Sequence, residues 1–344
     1  MDLLVKDIED LINYIDNEQN KILKNKTQLT KLKFSLHQLL ILYKHINKLP
    51  SKYKKKMNEI HNDNEIFKFM LEKIYEEYDM FQKFDYQNII KNIKDKFNIF
   101  DEVSLTKIEN LDEKFIYAFN EYMDIVKNFF SNYDVDYYNI ILPYLDENHI
   151  MSYKSSVSGE FLYNCYSNNI FINVDSNNKY SINHIIILVH ELGHSIQFLN
   201  NSNYIKSHYS IYSEFSSHFF QLQFLKYLRN NYKDIDVNIL INSYLRKLIS
   251  DTYQFDYIIN KNINNNISLI CSSISLFTYI IGQLLAIYYS ELYDIDKDKT
   301  KNEIHNIFKN IGTNEDKIIL NDDFYRFDFL EKEILDNQKK IRKF

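Results

Sequence analysis

Two histidines four residues apart with a glutamate directly after the first can hold a cation and act on a water molecule beside it. Here they are His190, Glu191 and His194, in the run SINHIIILVHELGHSIQFL from Ser181 to Leu199. Residues four apart project from one face of an α-helix, so the two imidazoles can close on a single ion without bending the backbone. Zinc suits them: it takes His nitrogen at about 2.0–2.1 Å and, in catalytic sites, keeps three protein ligands and one open position. Glu191 projects from the flank of the same face, within reach of a water at that position as general base.

The elements that must position these groups can be read around them. Ile185, Ile186, Ile187, Leu188 and Val189 run straight into the pentad and predict a buried helix. Ser181 or Asn183 is its expected N-cap, and Asn200-Asn201 its expected stop. A third ligand should come from another element. Glu214 lies in the run Tyr209 to Ser217, which opens a second segment of helical period, with Phe219, Leu222, Phe224 and Leu225 as its apolar stripe. Two readings stand for Glu214 at this stage. A carboxylate among apolar neighbours is costly unless a metal or a cation satisfies it, and an acid at a helix start is also favoured by the macrodipole. His218, four residues on, is a rival ligand, a neighbour of the ligands, or an ordinary helix residue.

The wording around the pentad resembles the oligoendopeptidase F branch of the M3 metallopeptidases, the family that includes thimet oligopeptidase. HELGHS at His190 to Ser195 is followed by YSIYSEFSS at Tyr209 to Ser217, which is similar to that family's tyrosine-rich approach to its glutamate ligand. FNEYMDIVK at Phe119 to Lys127 resembles the helix preceding the site. KSSVSG at Lys154 to Gly159, followed by NIFINV at Asn169 to Val174, resembles a small hairpin whose edge strand lies beside the substrate. FTYIIG at Phe277 to Gly282 resembles a tyrosine-bearing helix, and FKNIGT at Phe308 to Thr313 a late glycine turn. The chain has only four glycines, Gly159, Gly193, Gly282 and Gly312, and each falls in one of these stretches. A composition so poor in glycine should keep it where backbones approach closely or φ is positive.

The resemblance implies a mainly α, multi-helical zincin-type (gluzincin) fold with a small β-hairpin or sheet beside the cleft. It also implies His190, His194 and Glu214 as ligands of one zinc ion, Glu191 as catalytic base and Tyr279 as donor to the tetrahedral oxyanion. Two departures stand out. The stretch 267–276 contains no histidine where the family carries a transition-state donor, and Phe277 stands where a tyrosine is expected, leaving Tyr279 or substitutes such as Tyr253 and Tyr257. Only 189 residues precede His190, fewer than the family's large N-terminal lobe needs. Residues 1–112 resemble nothing in the family and are expected to form a helical region, as a hairpin covering the cleft or as a partner-docking coiled coil. Residues 113–344 are expected to form the M3-like catalytic region.

Composition bounds the remaining classes. At 344 residues, 45% hydrophobic and 26% charged, the chain can bury a substantial core. A net charge of −6 with interspersed signs gives no basic footprint, so nucleic acid is not an expected partner. No run of eighteen apolar residues occurs, so no membrane span is expected. The N-terminus MDLLVKDIEDLINYI has acids where a secretory signal carries lysines, and cytoplasmic residence is the default. Cys165 and Cys271 read as reduced packing residues.

Helical spacing recurs at 3–14, 29–46, 66–84, 113–130, 240–257 and 274–292, and strand-like segments at 161–166 and 169–174. The sequence therefore reads as a zinc endopeptidase or oligopeptidase acting on peptides. Two rivals remain: a catalytically weakened homologue that binds peptides or serves as a scaffold, and a structural helical protein in which the pentad is accidental.

Overall fold

A computed structural model describes residues 84–97, 111–152, 158–164, 169–176, 179–201, 212–261 and 267–311, with isolated positions before residue 40. The helices expected at 3–14, at 29–46 and over most of 66–84 lie outside them, as does Gly312. The described chain is mainly helical with a small sheet. It divides into two compact units, Met1–Met70 with Tyr117–Glu191, and Leu71–Ile116 with Leu192–Phe344.

The first unit contains helices α2 (Phe119–Tyr133) and α3 (Val135–Ile141) and a three-stranded sheet. A single helix was expected over 113–130, but the short strand β1 (Ile116–Tyr117) interrupts it. Phe115, Ile116 and Tyr117 are a β-branched and aromatic run that favours extended backbone. Helix α2 then starts at Phe119, where Glu121 reaches back to accept from the Ala118 N–H at 2.9 Å. Asp134 ends α2 and caps α3, accepting from the N–H groups of Asp136 and Tyr137.

The sheet has the order β2 (Ile150–Met151), β4 (Asn169–Val174), β3 (Gly159–Asn164). Strands β3 and β4 form an antiparallel hairpin in register Gly159↔Val174 to Asn164↔Asn169, and β2 pairs parallel with β4 on its other side. In β4, Ile170, Phe171, Ile172 and Val174 are all buried, the continuous apolar pattern of a strand covered on both faces. The sequence had suggested Asn169–Val174 as an edge strand. It is the central one, and among the described residues β3 has a strand on one side only.

The second unit is built on α7 (Ile267–Ile295), against which α5 (Phe215–Asn231), α6 (Val237–Ile259) and α8 (Lys297–Asn310) pack, with α1 (Tyr86–Phe97) on α6. Phe215, Phe219, Phe220, Phe277 and Phe308 are fully buried in its core. By length and composition alone, residues Ser272–Ile295 of α7 could cross a membrane, which the sequence reading did not anticipate. Of its most apolar 18-residue window 67% is buried among neighbours, as befits the core helix of a bundle.

Candidate functional site

Helix α4 (Ile182–Asn200) carries the pentad, and it begins directly after Ser181, as the sequence implied. The N-terminal turn is closed by the His184 side chain: its Nδ1 accepts from the Ser181 backbone N–H at 2.9 Å and lies 3.0 Å from Ser181 Oγ. Tyr122 of α2 donates its hydroxyl to the His184 carbonyl at 3.3 Å, and burial pushes that phenol well above its usual range. Ile185, Ile186, Leu188, Val189, Leu192 and Ile196 are buried, which fixes the rotation of α4 about its axis. His190 and His194 are left half-buried on one face, and Glu191 is 8% exposed.

Glu214 lies at the N-terminus of α5 and does not cap its own helix. It is not a solvent-facing acid: its side chain is 13% exposed, and Oε2 lies 3.5 Å from Nε2 of His194. One ligand atom from each of His190, His194 and Glu214 falls within 4.8 Å of the others. Two ligands on a tetrahedral zinc with bonds of about 2.0–2.2 Å are separated by about 3.3–3.5 Å. The His194–Glu214 distance matches that edge, so the pair reads as two ligands of one cation as readily as an ion pair. Two imidazoles and one carboxylate are a donor set that zinc accepts. His218 does not join this cluster. Its buried ring packs edge-on to Tyr244 at 5.6 Å and to Tyr279 at 5.9 Å.

Glycines set the close approaches. A Cβ added at Gly193 would lie 2.6 Å from Ser217 Cα and 2.8 Å from the Ser216 carbonyl oxygen, so only glycine lets α4 and the first turn of α5 come this near. On the other side, a Cβ at Gly282 of α7 would lie 2.6 Å from Glu214 Cβ. In the first unit, a Cβ at Gly159 would lie 2.5 Å from Glu191 Oε1 and 2.6 Å from Ile187 Cγ2. The first residue of the edge strand β3 thus rests against the Glu191 carboxylate. Neither Gly159 nor Gly282 had been singled out for these contacts. Their signal in the sequence was their scarcity.

Tyr279 is half-buried, and the ammonium of Lys247 stands 5.3 Å from its ring centroid. Lys247 is in turn held by both oxygens of Asp251, at 2.6 and 2.5 Å. Burial raises the pKa of the Asp251 carboxyl, and Lys247 opposes that shift. Phe277 is fully buried, stacked on Phe255 at 5.3 Å and edge-on to Phe84 at 5.1 Å. A hydroxyl at its position would have to be satisfied inside an aromatic core. Tyr253 and Tyr257 lie on an exposed face of α6, with Lys94 and Lys261 over their rings.

No protein-family model and no curated protein sequence matches the chain. Solved structures do. A candidate oligoendopeptidase F from Bacillus anthracis str. Ames matches 96% of this chain at a TM-score of 0.51 and 11% identity, and the chain covers 65% of it. A candidate peptidase from Chlamydophila abortus matches 99% of the chain at a TM-score of 0.47 and 14% identity. PZ peptidase A with an inhibitor matches 90% at 0.47 and 11%. The chain covers 62% of each of these last two, so it spans less than two thirds of the length of all three. At 11% identity the likeness to the first is one of fold: multi-helical, of the zincin type, with a small sheet.

Proposed function

We propose that this chain is a zinc-dependent endopeptidase or oligopeptidase in which His190, His194 and Glu214 hold the metal and Glu191 is the general base. The observation that carries the reading is the convergence of two helix-borne imidazoles and a carboxylate from another helix within 4.8 Å, with a second, buried carboxylate beside the first imidazole on α4. A zinc ion held there supplies Lewis-acid polarisation of a carbonyl and acidifies water. Glu191 takes the proton of the water that attacks the scissile carbonyl and returns it to the leaving amine. Its burial keeps bulk water from competing for that proton.

The substrate is a peptide bound by strand addition. The side of β3 away from β4 presents alternate N–H and C=O groups to an extended chain, a mode that gives affinity through main-chain bonds with little demand on sequence. Gly159 at the start of β3 brings that rail against Glu191. Gly159→Ala is therefore expected to keep its zinc content, because the glutamate side chain can swing aside, while kcat/KM falls by about 10²-fold from the displaced carboxylate and the melting temperature drops, since Ile187 Cγ2, 2.6 Å from the new Cβ, is stiffly held on its helix. Unchanged kcat/KM would detach β3 from the chemistry.

Tyr279 hydrogen-bonds the oxyanion of the tetrahedral intermediate, with Lys247 over its ring. Loss of one such donor typically costs about two to three orders of magnitude in turnover. Tyr279→Phe should show that loss in kcat with KM little changed, and an unaffected kcat would remove Tyr279 from the mechanism.

The test of the whole reading is metal content and hydrolysis of a mixed quenched-peptide library on one preparation. One zinc per chain with cleavage is the expected result. Zinc without cleavage favours the alternative, a peptide-binding homologue that has lost turnover, and no zinc overturns both.

A further inference from the structure

We infer that Ser217 is a positioning residue for the metal, its hydroxyl orienting the Glu214 carboxylate and setting the affinity of the site. The inference rests on the zinc reading above. The backbone at Glu214 is fixed from two sides, by the approach of Gly282 to its Cβ and by the Gly193 contact with Ser216 and Ser217. Ser216 adds a tie, donating its hydroxyl to Gln197 Oε1 of α4 at 2.6 Å. What these contacts leave open is the glutamate side chain itself, whose rotatable bonds must be frozen for the carboxylate to be a ligand.

Ser217, one turn on, is placed to freeze them. It is fully buried, and its Oγ lies 2.8 Å from the Glu214 carbonyl oxygen and 3.2 Å from Glu214 Oε2. Oε2 is the same oxygen that stands 3.5 Å from His194 Nε2, so the hydroxyl touches the ligand atom. A single hydroxyl proton faces two acceptors. The carbonyl has a second donor, the His218 N–H at 3.2 Å, so it stays satisfied when the serine proton turns to Oε2. A hydrogen bond to the carboxylate favours its charged form and fixes which lone pair faces the cation.

Partners of metal ligands typically set affinity by about 10–100-fold. Zinc affinity, measured by chelator competition on the full-length protein, is therefore expected to fall by about that factor in Ser217→Ala. Ser216→Ala is the matched control: it deletes an equally buried hydroxyl on the same turn, but one that bonds Gln197 and not Glu214. It should lose clearly less zinc affinity than Ser217→Ala even if the metal-free melting temperature drops. Equal zinc affinity in Ser217→Ala and wild type overturns the inference, as does an equal loss in both variants, which would make the effect one of helix packing. A wild-type protein that binds no zinc overturns the inference together with the reading beneath it.

Discussion

Glu191→Gln is expected to keep one zinc per chain and to lose cleavage by about 10²–10⁴-fold, the range that general acid–base catalysis supplies. The substitution keeps the shape of the side chain and removes its capacity to accept a proton. Because Glu191 is 8% exposed and rests against Gly159, an isosteric amide can occupy the same space with little disturbance to α4 or β3. The proposed ligands His190 and His194 are separate side chains of α4, so metal content should be unaffected. Measuring zinc by mass spectrometry and turnover on the peptide library in the same samples separates the two roles. Cleavage retained at the wild-type rate would overturn the base assignment, and zinc lost along with cleavage would show that Glu191 supports the metal as well.

Gly193→Ala should have the largest effect on the integrity of the site. Alanine is the better helix former, by about 1 kcal/mol over glycine in a helix interior. Against this, the new Cβ would lie 2.6, 2.8 and 2.9 Å from Ser217 Cα, the Ser216 oxygen and Ser217 N, all backbone atoms that cannot rotate away. Overpacking of that kind costs about 1–3 kcal/mol, so the clash outweighs the propensity gain. The relief is for the start of α5 to retreat from α4, taking Glu214 away from His194. We expect a lowered melting temperature together with zinc affinity weakened by at least about tenfold, the scale on which disturbing a ligand's support is felt. A variant more stable than wild type with unchanged zinc affinity would mean that the crossing of α4 and α5 has room to spare. The contrast with Gly159→Ala is diagnostic: a Cβ at Gly193 meets backbone, whereas one at Gly159 meets the side chains of Glu191 and Ile187, so the first is expected to act on zinc affinity and the second on turnover.

The reach of the sequence can be judged residue by residue. His190 and His194 were legible because the geometry relating them is local: a helical repeat of 3.6 residues places positions four apart on one face whatever surrounds the helix. The start of α4 directly after Ser181 and the burial of Ile185, Ile186, Leu188 and Val189 follow from equally local signals. Glu214 was legible only as one of two readings, since it stands 20 positions after His194 and a helix-start acid fits a solvent face equally well. Only the packing of α5 against α4 at Gly193 brings its oxygen to 3.5 Å from His194. Tertiary structure likewise decided the strand order. A run such as Asn169–Val174 has the same composition at the edge or centre of a sheet, and it is the non-local pairing of β2 that makes it central and leaves β3 at the outside of the sheet among the described residues. Phe277 was read as a departure from a catalytic pattern, because sequence cannot tell a lost hydroxyl from a core aromatic; stacking between Phe84 and Phe255 makes it the latter. By itself, then, the sequence determined the chemistry one helix can carry, because that depends on backbone repeat alone. Which further side chains join the cluster, and which strand stands at the centre of the sheet, depended on contacts between segments distant in the chain, where burial and close approach decide and periodicity is silent.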